Sequence, residues 1–198
     1  MEHEWPRWED GRYGPPERAE ALARRAEETR AAVARGEGPS FAEAPTRALC
    51  HWHASLFRGT APLAAYEGGL RGDAAEPCLA RNVRVGGQHG VPWERMGETM
   101  DAFDARVRAL VADVDARVAA GAGDAAEAAV EAAAWVAARV VAIHPFIDGN
   151  GRMSRLVAAW LLARWGLDAA VVPLTPSPPP PYRDTGRAAM NGDHLDLR

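Results

Sequence analysis

The sequence predicts a mainly α-helical domain that carries one short β-hairpin. Apolar residues recur at spacings of three and four along most of the chain, and glycines or prolines separate these segments. Long strand-like runs are missing, and only 82–85 alternates polar and apolar residues. A chain of 198 residues suits one domain, so we look for one functional site.

Two helices are expected in the first third of the chain. Pro15 and Pro16 open an apolar pattern that closes before Gly36, as expected for prolines in a first helical turn. A second helix is expected from about Pro45 to Gly59. We therefore treat 1–44 as an N-terminal helical segment.

The core of the domain is expected at 45–172. Glycines interrupt its segment 60–91, which predicts irregular chain with a short hairpin. Pro92 fits the first turn of a long helix whose apolar stripe extends from Met96 to Val118.

Two more helices are expected on either side of a short loop. Asp124 and Glu127 resemble an N-terminal capping box for the first of them. This helix should stop at His144, because a proline disfavours helical dihedrals in the residue before it. The next helix is expected from about Gly151 to Gly166.

The end of the chain, 173–198, is predicted to be a connector and a tail. Its segment 173–181 is proline-rich, which favours an extended polyproline conformation. One short helix is expected over 182–190.

The composition of the chain excludes several classes of protein. The net charge of −4 argues against nucleic-acid binding, which usually requires a basic excess. The sequence contains no lysine, so the P-loop and the kinase strand lysine are excluded and any phosphate chemistry must depend on arginine. Cys50 and Cys78 form no metal or disulfide pattern. The N-terminus has neither the basic start nor the apolar run of a signal peptide, and no apolar stretch is long enough to span a membrane. We expect a cytoplasmic protein, while delivery into another cell stays open.

The loop between the last two predicted helices carries the chemistry. His144 can accept a proton near neutral pH, as a general base must. Asp148 offers a hard carboxylate suited to Mg²⁺. Gly149 and Gly151 have no side chains, so a phosphate can approach the backbone.

This loop leads into a helix N-terminus, where unpaired N–H groups and the helix dipole favour an anion. Arg152 and Arg155 are three residues apart and therefore share one face of the first helical turns. Both can bind one polyphosphate through planar guanidinium groups. Together these residues indicate phosphoryl or nucleotidyl transfer.

The segment HPFIDGNGR at 144–152, followed by Arg155, resembles the signature of the Fic family, HPFx(D/E)GNGRxxR, at every specified position. The helix around 51–57 and the glycine-rich segment around 69–87 also resemble family features. The resemblance covers roughly residues 45–198, and it implies a Fic-type helical domain with a hairpin flap at about 68–90 and the motif at 144–155.

The resemblance also implies a role for each matching position. His144 would deprotonate a Ser, Thr or Tyr hydroxyl, Asp148 would hold Mg²⁺, and Phe146 would anchor the loop in the core. The phosphates of ATP would be bound by Gly149, Asn150, Gly151, Arg152 and Arg155. The family likeness thus predicts a protein adenylyltransferase whose target protein binds along the flap.

Several alternatives stay open. The same site would also serve another nucleotide donor or another phosphate-containing group. A toxin-like or silent scaffold controlled by a small inhibitor protein is a third possibility, and self-modification a fourth. No inhibitory (S/T)xxxE(G/N) segment occurs, since VARGEG at 33–38 lacks the hydroxyl residue. His51 and His53 point apart on a helix, so we assign them core or surface positions rather than metal binding.

Overall fold

A computed structural model of the chain describes residues 16–85, 87–174 and 188. The described part is mainly α-helical, as predicted, and contains five long helices. These are α1 (Pro16–Ala34), α2 (Pro45–Phe57), α3 (Met96–Ala119), α4 (Ala125–Ile143) and α5 (Asn150–Arg164). None of them is long and apolar enough to cross a membrane.

The start of α3 differs from the prediction by one turn. Pro92 has an extended conformation, with φ −52° and ψ 136°, and a 3₁₀ turn at Trp93–Arg95 precedes the helix. Trp93 donates its N–H to the side chain of Asn82 at 3.0 Å, so a contact with the preceding segment shapes this entry.

The predicted capping box of α4 is wrong. Asp124 has φ −97° and ψ 2°, outside the extended region that an N-cap side chain requires, and it makes no side-chain cap. Its carboxylate instead accepts a hydrogen bond from Arg117 at 2.6 Å. The tight turn at Gly121, with φ 63°, brings the ends of α3 and α4 together and makes this ion pair the alternative to a cap.

Helix α5 lies at the centre of the fold. It packs mainly against α4 and also contacts α1 and α2. Phe41 and Trp52 stack with ring centroids 5.5 Å apart, and Trp160 of α5 contacts both rings. The short loop 144–149 joins α4 to this central helix, so the core fixes both ends of the loop.

The segment between α2 and α3 is mostly irregular. It contains 3₁₀ turns at Ala64–Tyr66 and Pro77–Leu79, followed by strands β1 (Arg84–Val85) and β2 (Gln88–His89). The two strands pair antiparallel over two residues each. That pairing is too short to establish the flap hairpin predicted at about 68–90, which therefore stays a prediction.

The predicted connector and terminal helix lie largely outside the described residues. Of the segment 173–181 the structure describes residues 173 and 174, and of 182–190 it describes residue 188.

Candidate active site

His144 follows α4 in a strained conformation. Its φ of 56° and ψ of 59° are left-handed, and no other described residue except glycine has a positive φ. Its N–H still bonds to the carbonyl of Val140 at 3.1 Å. A left-handed non-glycine residue costs about 1–2 kcal/mol, and such strain concentrates at functional sites.

The hydrogen bond of the His144 ring determines its tautomer. Nδ1 lies 2.8 Å from the carbonyl oxygen of Val141. A carbonyl oxygen only accepts, so the neutral ring carries its proton on Nδ1 and its lone pair on Nε2. His144 as a whole residue is only 9% exposed. This arrangement suits a general base that acts through Nε2.

Arg71 joins the end of α4 to the irregular segment, and sequence reasoning missed it. Its Nε donates to the carbonyl of His144 at 2.6 Å and its Nη2 to that of Ile143 at 3.0 Å. Nη2 and Nη1 also donate to the carbonyls of Val91 and Arg81, at 2.8 and 3.0 Å. The side chain is 1% exposed, and its burial lowers the pKa to about 10. No spacing pattern links position 71 to position 144, so the sequence offered no direct signal.

The chain that follows β2 lies directly against His144. A Cβ on Gly90 would lie 2.8 Å from the Cβ of His144, so only glycine fits there. Val91 donates its N–H to the carbonyl of Ile143 at 3.1 Å. The end of the irregular segment is thereby held beside the histidine.

Asn150 closes the loop on itself. Its Oδ1 accepts from the N–H of Phe146 at 3.0 Å, and its Nδ2 donates to the carbonyl of the same residue at 2.9 Å. Both residues are almost completely buried. The Asn150 side chain is therefore engaged in shaping the loop, and only its backbone is left to meet a phosphate.

His53 is a second residue whose role sequence reasoning missed. Its Nδ1 accepts from the N–H of Gly68 at 3.0 Å, which places the ring proton on Nε2, 3.1 Å from the carbonyl of Asp148. The ring stacks on Phe146 with centroids 4.0 Å apart. His53 therefore links the irregular segment to the loop.

Burial keeps His53 neutral in the folded protein. It lowers the pKa of His53 from 6.5 to about 3. The unfolded chain therefore binds one more proton than the folded chain between these two values. The resulting contribution to stability is fully present above pH 6.5 and is lost progressively as the pH falls below it.

The two glycines of the loop have different reasons to be glycine. Gly149 has φ 81°, and a Cβ there would overlap the ring of Phe57 and lie 3.0 Å from Nε2 of His53. Internal packing is thus sufficient to require this glycine. Around Gly151 the nearest atom is Nη1 of Arg155, at 3.5 Å from an added Cβ. Gly151 therefore leaves the room that a ligand needs.

Asp148 is the one acidic side chain of the loop 144–149. Its Oδ1 accepts the N–H of Gly149 at 2.7 Å, which fixes the orientation of the carboxylate. A single oriented carboxylate fits Mg²⁺, because that ion usually takes one or two protein carboxylates and completes its shell with phosphate oxygens and water.

Arg152 and Arg155 differ in their surroundings. The Arg152 side chain is 0% exposed, and its three guanidinium nitrogens have no hydrogen-bond partner among the described residues. Its Cζ lies 5.9 Å from the ring centroid of Phe57. Arg155 is 9% exposed and donates its Nε to the carbonyl of Pro173 at 2.7 Å. Burying a cation without an acceptor costs free energy, so binding of an anion would stabilise Arg152 in this position.

The structure places the predicted site residues around one turn. His144 stands at the end of α4, Asp148 in the loop, and both arginines in the first turns of α5. The helix begins at Asn150, and its first N–H groups have no partner inside the helix. A base, a carboxylate and an anion-binding helix N-terminus thus lie within one short stretch of chain.

Comparison with known proteins agrees with the motif. The profile of the Fic/DOC family matches residues 44–162, more than half of the chain. Over 44 residues the chain is 50% identical to proteins named protein adenylyltransferase Fic in Drosophila persimilis and Drosophila pseudoobscura pseudoobscura. These alignments cover 22% of this chain and 9% of each relative. A Fido domain-containing protein of Dictyostelium discoideum is 56% identical over 34 residues, which is 17% of this chain and 24% of that protein.

Proposed function

The chain belongs to the Fic/DOC family, and on this premise we propose that it transfers AMP from ATP to a Ser, Thr or Tyr hydroxyl of a target protein. Pyrophosphate is the leaving group. Members of this family are typically nucleotidyltransferases, and two relatives carry the name protein adenylyltransferase.

The observation that carries this proposal is the buried, unpartnered guanidinium of Arg152. A charged group in such surroundings is stabilised only when an oppositely charged group pairs with it. The polyphosphate of ATP supplies that charge, and guanidinium groups bind phosphate through two parallel hydrogen bonds. Arg155 adds a second guanidinium beside Gly151. Both arginines would bind the β- and γ-phosphates.

The backbone at the start of α5 would bind the phosphates from the other side. Asn150 and Gly151 present backbone N–H groups at the positive end of the helix dipole, and Gly149, whose own N–H donates to Asp148, would contribute by its lack of a side chain. Asp148 would hold Mg²⁺, which would offset charge on the phosphate oxygens when bound.

His144 would act as the general base. Its Nε2 accepts the proton of the target hydroxyl while the hydroxyl oxygen forms a bond to the α-phosphorus. The bond between the α-phosphorus and the bridging oxygen breaks, and that oxygen leaves with pyrophosphate. The bond from Nδ1 to the carbonyl of Val141 keeps the lone pair on Nε2, and it stabilises the ring once both nitrogens carry protons.

The target is expected to bind beside the chain that follows β2. Gly90 packs against His144, so an extended peptide along 88–91 would bring its hydroxyl close to the base. Self-modification would use the same geometry.

Glu37, the acidic residue of the 33–38 segment, pairs with Arg35 at 2.6 Å. We therefore propose that inhibition, where it occurs, comes from a separate small protein.

The test uses purified protein, Mg²⁺ and ATP labelled at the α-phosphate, with and without a cell lysate as the source of target proteins. The wild type should transfer label to protein, and His144→Ala should lose at least about a hundredfold in rate. His51→Ala is the matched control, because His51 is an exposed histidine on α2. It should retain the wild-type rate.

Two further arms separate the alternatives. ATP labelled at the γ-phosphate should leave the target unlabelled, since the γ-phosphate departs with pyrophosphate. Competition by unlabelled GTP or UTP reveals another donor. Equal labelling by the wild type and His144→Ala would refute the assignment of the base, and nucleotide binding without any transfer would favour the silent scaffold.

A further inference from the structure

Helices α3 and α4 form a groove that the reaction described above does not use. The cavity has a volume of about 440 Å³. Three arginines, Arg95, Arg106 and Arg139, line it together with the aromatic side chains of Phe103 and Trp135. We call this surface the cationic groove.

Few acidic side chains offset the positive charge of the arginines in the groove. Glu98 pairs with Arg95 at 3.7 Å, whereas neither Arg106 nor Arg139 forms an ion pair with any described residue. The guanidinium groups of these two arginines lie 5.8 and 5.9 Å from the ring centroid of Trp135. Arg139 is partly buried, and burial lowers its pKa. An acidic protein thus has a local site that attracts anions.

The cationic groove begins where the irregular segment ends. Arg95 follows the chain at 88–91 that lies against His144. Arg139 stands five residues before His144 on α4, a rise of about 7.5 Å along the helix axis. An extended peptide advances about 3.3 Å per residue, so a few residues span the distance from the groove to the catalytic histidine.

We propose that the cationic groove binds an acidic segment of the target protein and so positions a nearby hydroxyl at His144. This inference rests on the proposed function and names the chemistry of its substrate. Carboxylates of the target pair with Arg106 and Arg139, and an apolar neighbour packs on Trp135 and Phe103. The acidic residues lie within about five positions of the modified hydroxyl.

Charge complementarity favours an acidic peptide over nucleic acid as the occupant. A nucleic acid would extend past the groove and meet a protein surface of net charge −4. A short acidic segment contacts only the groove, so the positive charge of its arginines is sufficient to bind it. Guanidinium groups also pair well with carboxylates, through two parallel hydrogen bonds.

Direct binding tests the groove without any chemistry. The probe is a fluorescein-labelled peptide in which one Tyr is flanked by Glu residues, compared with the same peptide in which each Glu is replaced by Gln. Anisotropy at low ionic strength should show that the wild type binds the Glu peptide at least about tenfold more tightly. The double variant Arg106→Glu, Arg139→Glu should lose this preference.

The matched control is the double variant Arg24→Glu, Arg108→Glu. Both residues are exposed, and Arg108 lies on α3 two positions from Arg106, hence on another face of the helix. This control should keep the peptide preference within about twofold. The milder pair Arg106→Gln, Arg139→Gln reports on the groove if charge reversal unfolds the protein. A wild type without the preference, or a groove variant that retains it, overturns the proposal.

Transfer assays separate this inference from the proposed function. With α-labelled ATP and the Glu peptide, the groove variant should raise KM for the peptide at least about tenfold and leave kcat within about twofold. Transfer with an unchanged KM would refute the groove alone. A persistent peptide preference without AMP transfer from any variant would refute the proposed activity and leave the groove as a binding site.

Discussion

Replacing Arg71 should destabilise the protein far more than its place in an irregular segment suggests. The guanidinium donates to four backbone carbonyls, two at the end of α4 and two in the segment before α3. The substitution Arg71→Met keeps most of the side-chain volume and removes every donor. All four carbonyls then lose a donor, although that of Ile143 keeps the N–H of Val91. The bonds to His144 and Ile143 are buried, whereas those to Arg81 and Val91 are part-buried.

The expected loss follows from these four bonds. Leaving the buried carbonyl of His144 without this donor costs about 1–3 kcal/mol, and each of the other three lost bonds costs about 0.5–1.5 kcal/mol, so the free energy of unfolding should fall by at least about 2.5 kcal/mol. A typical domain has a free energy of unfolding of only about 5–15 kcal/mol, so Arg71→Met should still fold but with a much smaller margin of stability. Arg71→Lys should recover at most about half of the loss, because one ammonium group cannot reach all four carbonyls.

Urea denaturation followed by far-UV circular dichroism measures this loss. The midpoint should fall while the slope stays constant, since the surface exposed on unfolding is unchanged. Arg108→Met is the control: that arginine is exposed, and its removal should change stability by less than about 0.5 kcal/mol. A loss below about 1 kcal/mol for Arg71→Met would mean that water replaces the guanidinium, and the reasoning would fail.

Three further substitutions test the loop. Below pH 6.5 the unfolded chain protonates His53 and the folded chain does not. The free energy of unfolding should therefore fall by about 2 kcal/mol between pH 6.5 and pH 5, as measured by urea titration at each pH. His53→Leu should abolish that decline and His51→Leu should keep it; equal slopes in both variants would contradict the assignment. Gly149→Ala should lower stability by about 2–4 kcal/mol in thermal melts, because its left-handed φ and its packing both exclude a Cβ, whereas Gly97→Ala in α3, with open space around it, should be neutral or stabilising. Asn150→Ala should reduce the transfer rate at least about tenfold by freeing the loop, and an unchanged rate would show that the loop keeps its shape without this side chain.

The sequence predicted the helices because their apolar periodicity reflects the packing that holds them. Pro145 located the end of α4 in the same way, since its steric effect acts on the adjacent residue alone. The capping box at Asp124 failed for the opposite reason. A local pattern cannot show that Arg117, seven residues away, takes the same carboxylate.

The candidate site could be named from sequence because its residues are contiguous. The side chains that hold it in place could not. Arg71 bonds to His144 across 73 residues, and His53 bonds to Asp148 across 95 residues. Such contacts follow from tertiary packing and leave no spacing pattern in the chain.

Arg71 and His53 both connect the residues of the candidate site to the segment between α2 and α3. Arg71 joins the carbonyl of His144 to the chain near β1 and β2, and His53 joins the carbonyl of Asp148 to Gly68. The proposed base and the proposed metal-binding carboxylate are therefore each tied to the segment along which we expect the target to bind. Loosening either tie should disturb the target and the reacting groups together, so KM for the target and kcat should change in parallel. Arg71 bonds to none of the residues proposed to bind phosphate or Mg²⁺, so ATP affinity should change little in Arg71 variants. His53 variants should also weaken ATP binding, because His53 holds Asp148 and contacts Phe57, on which Arg152 packs.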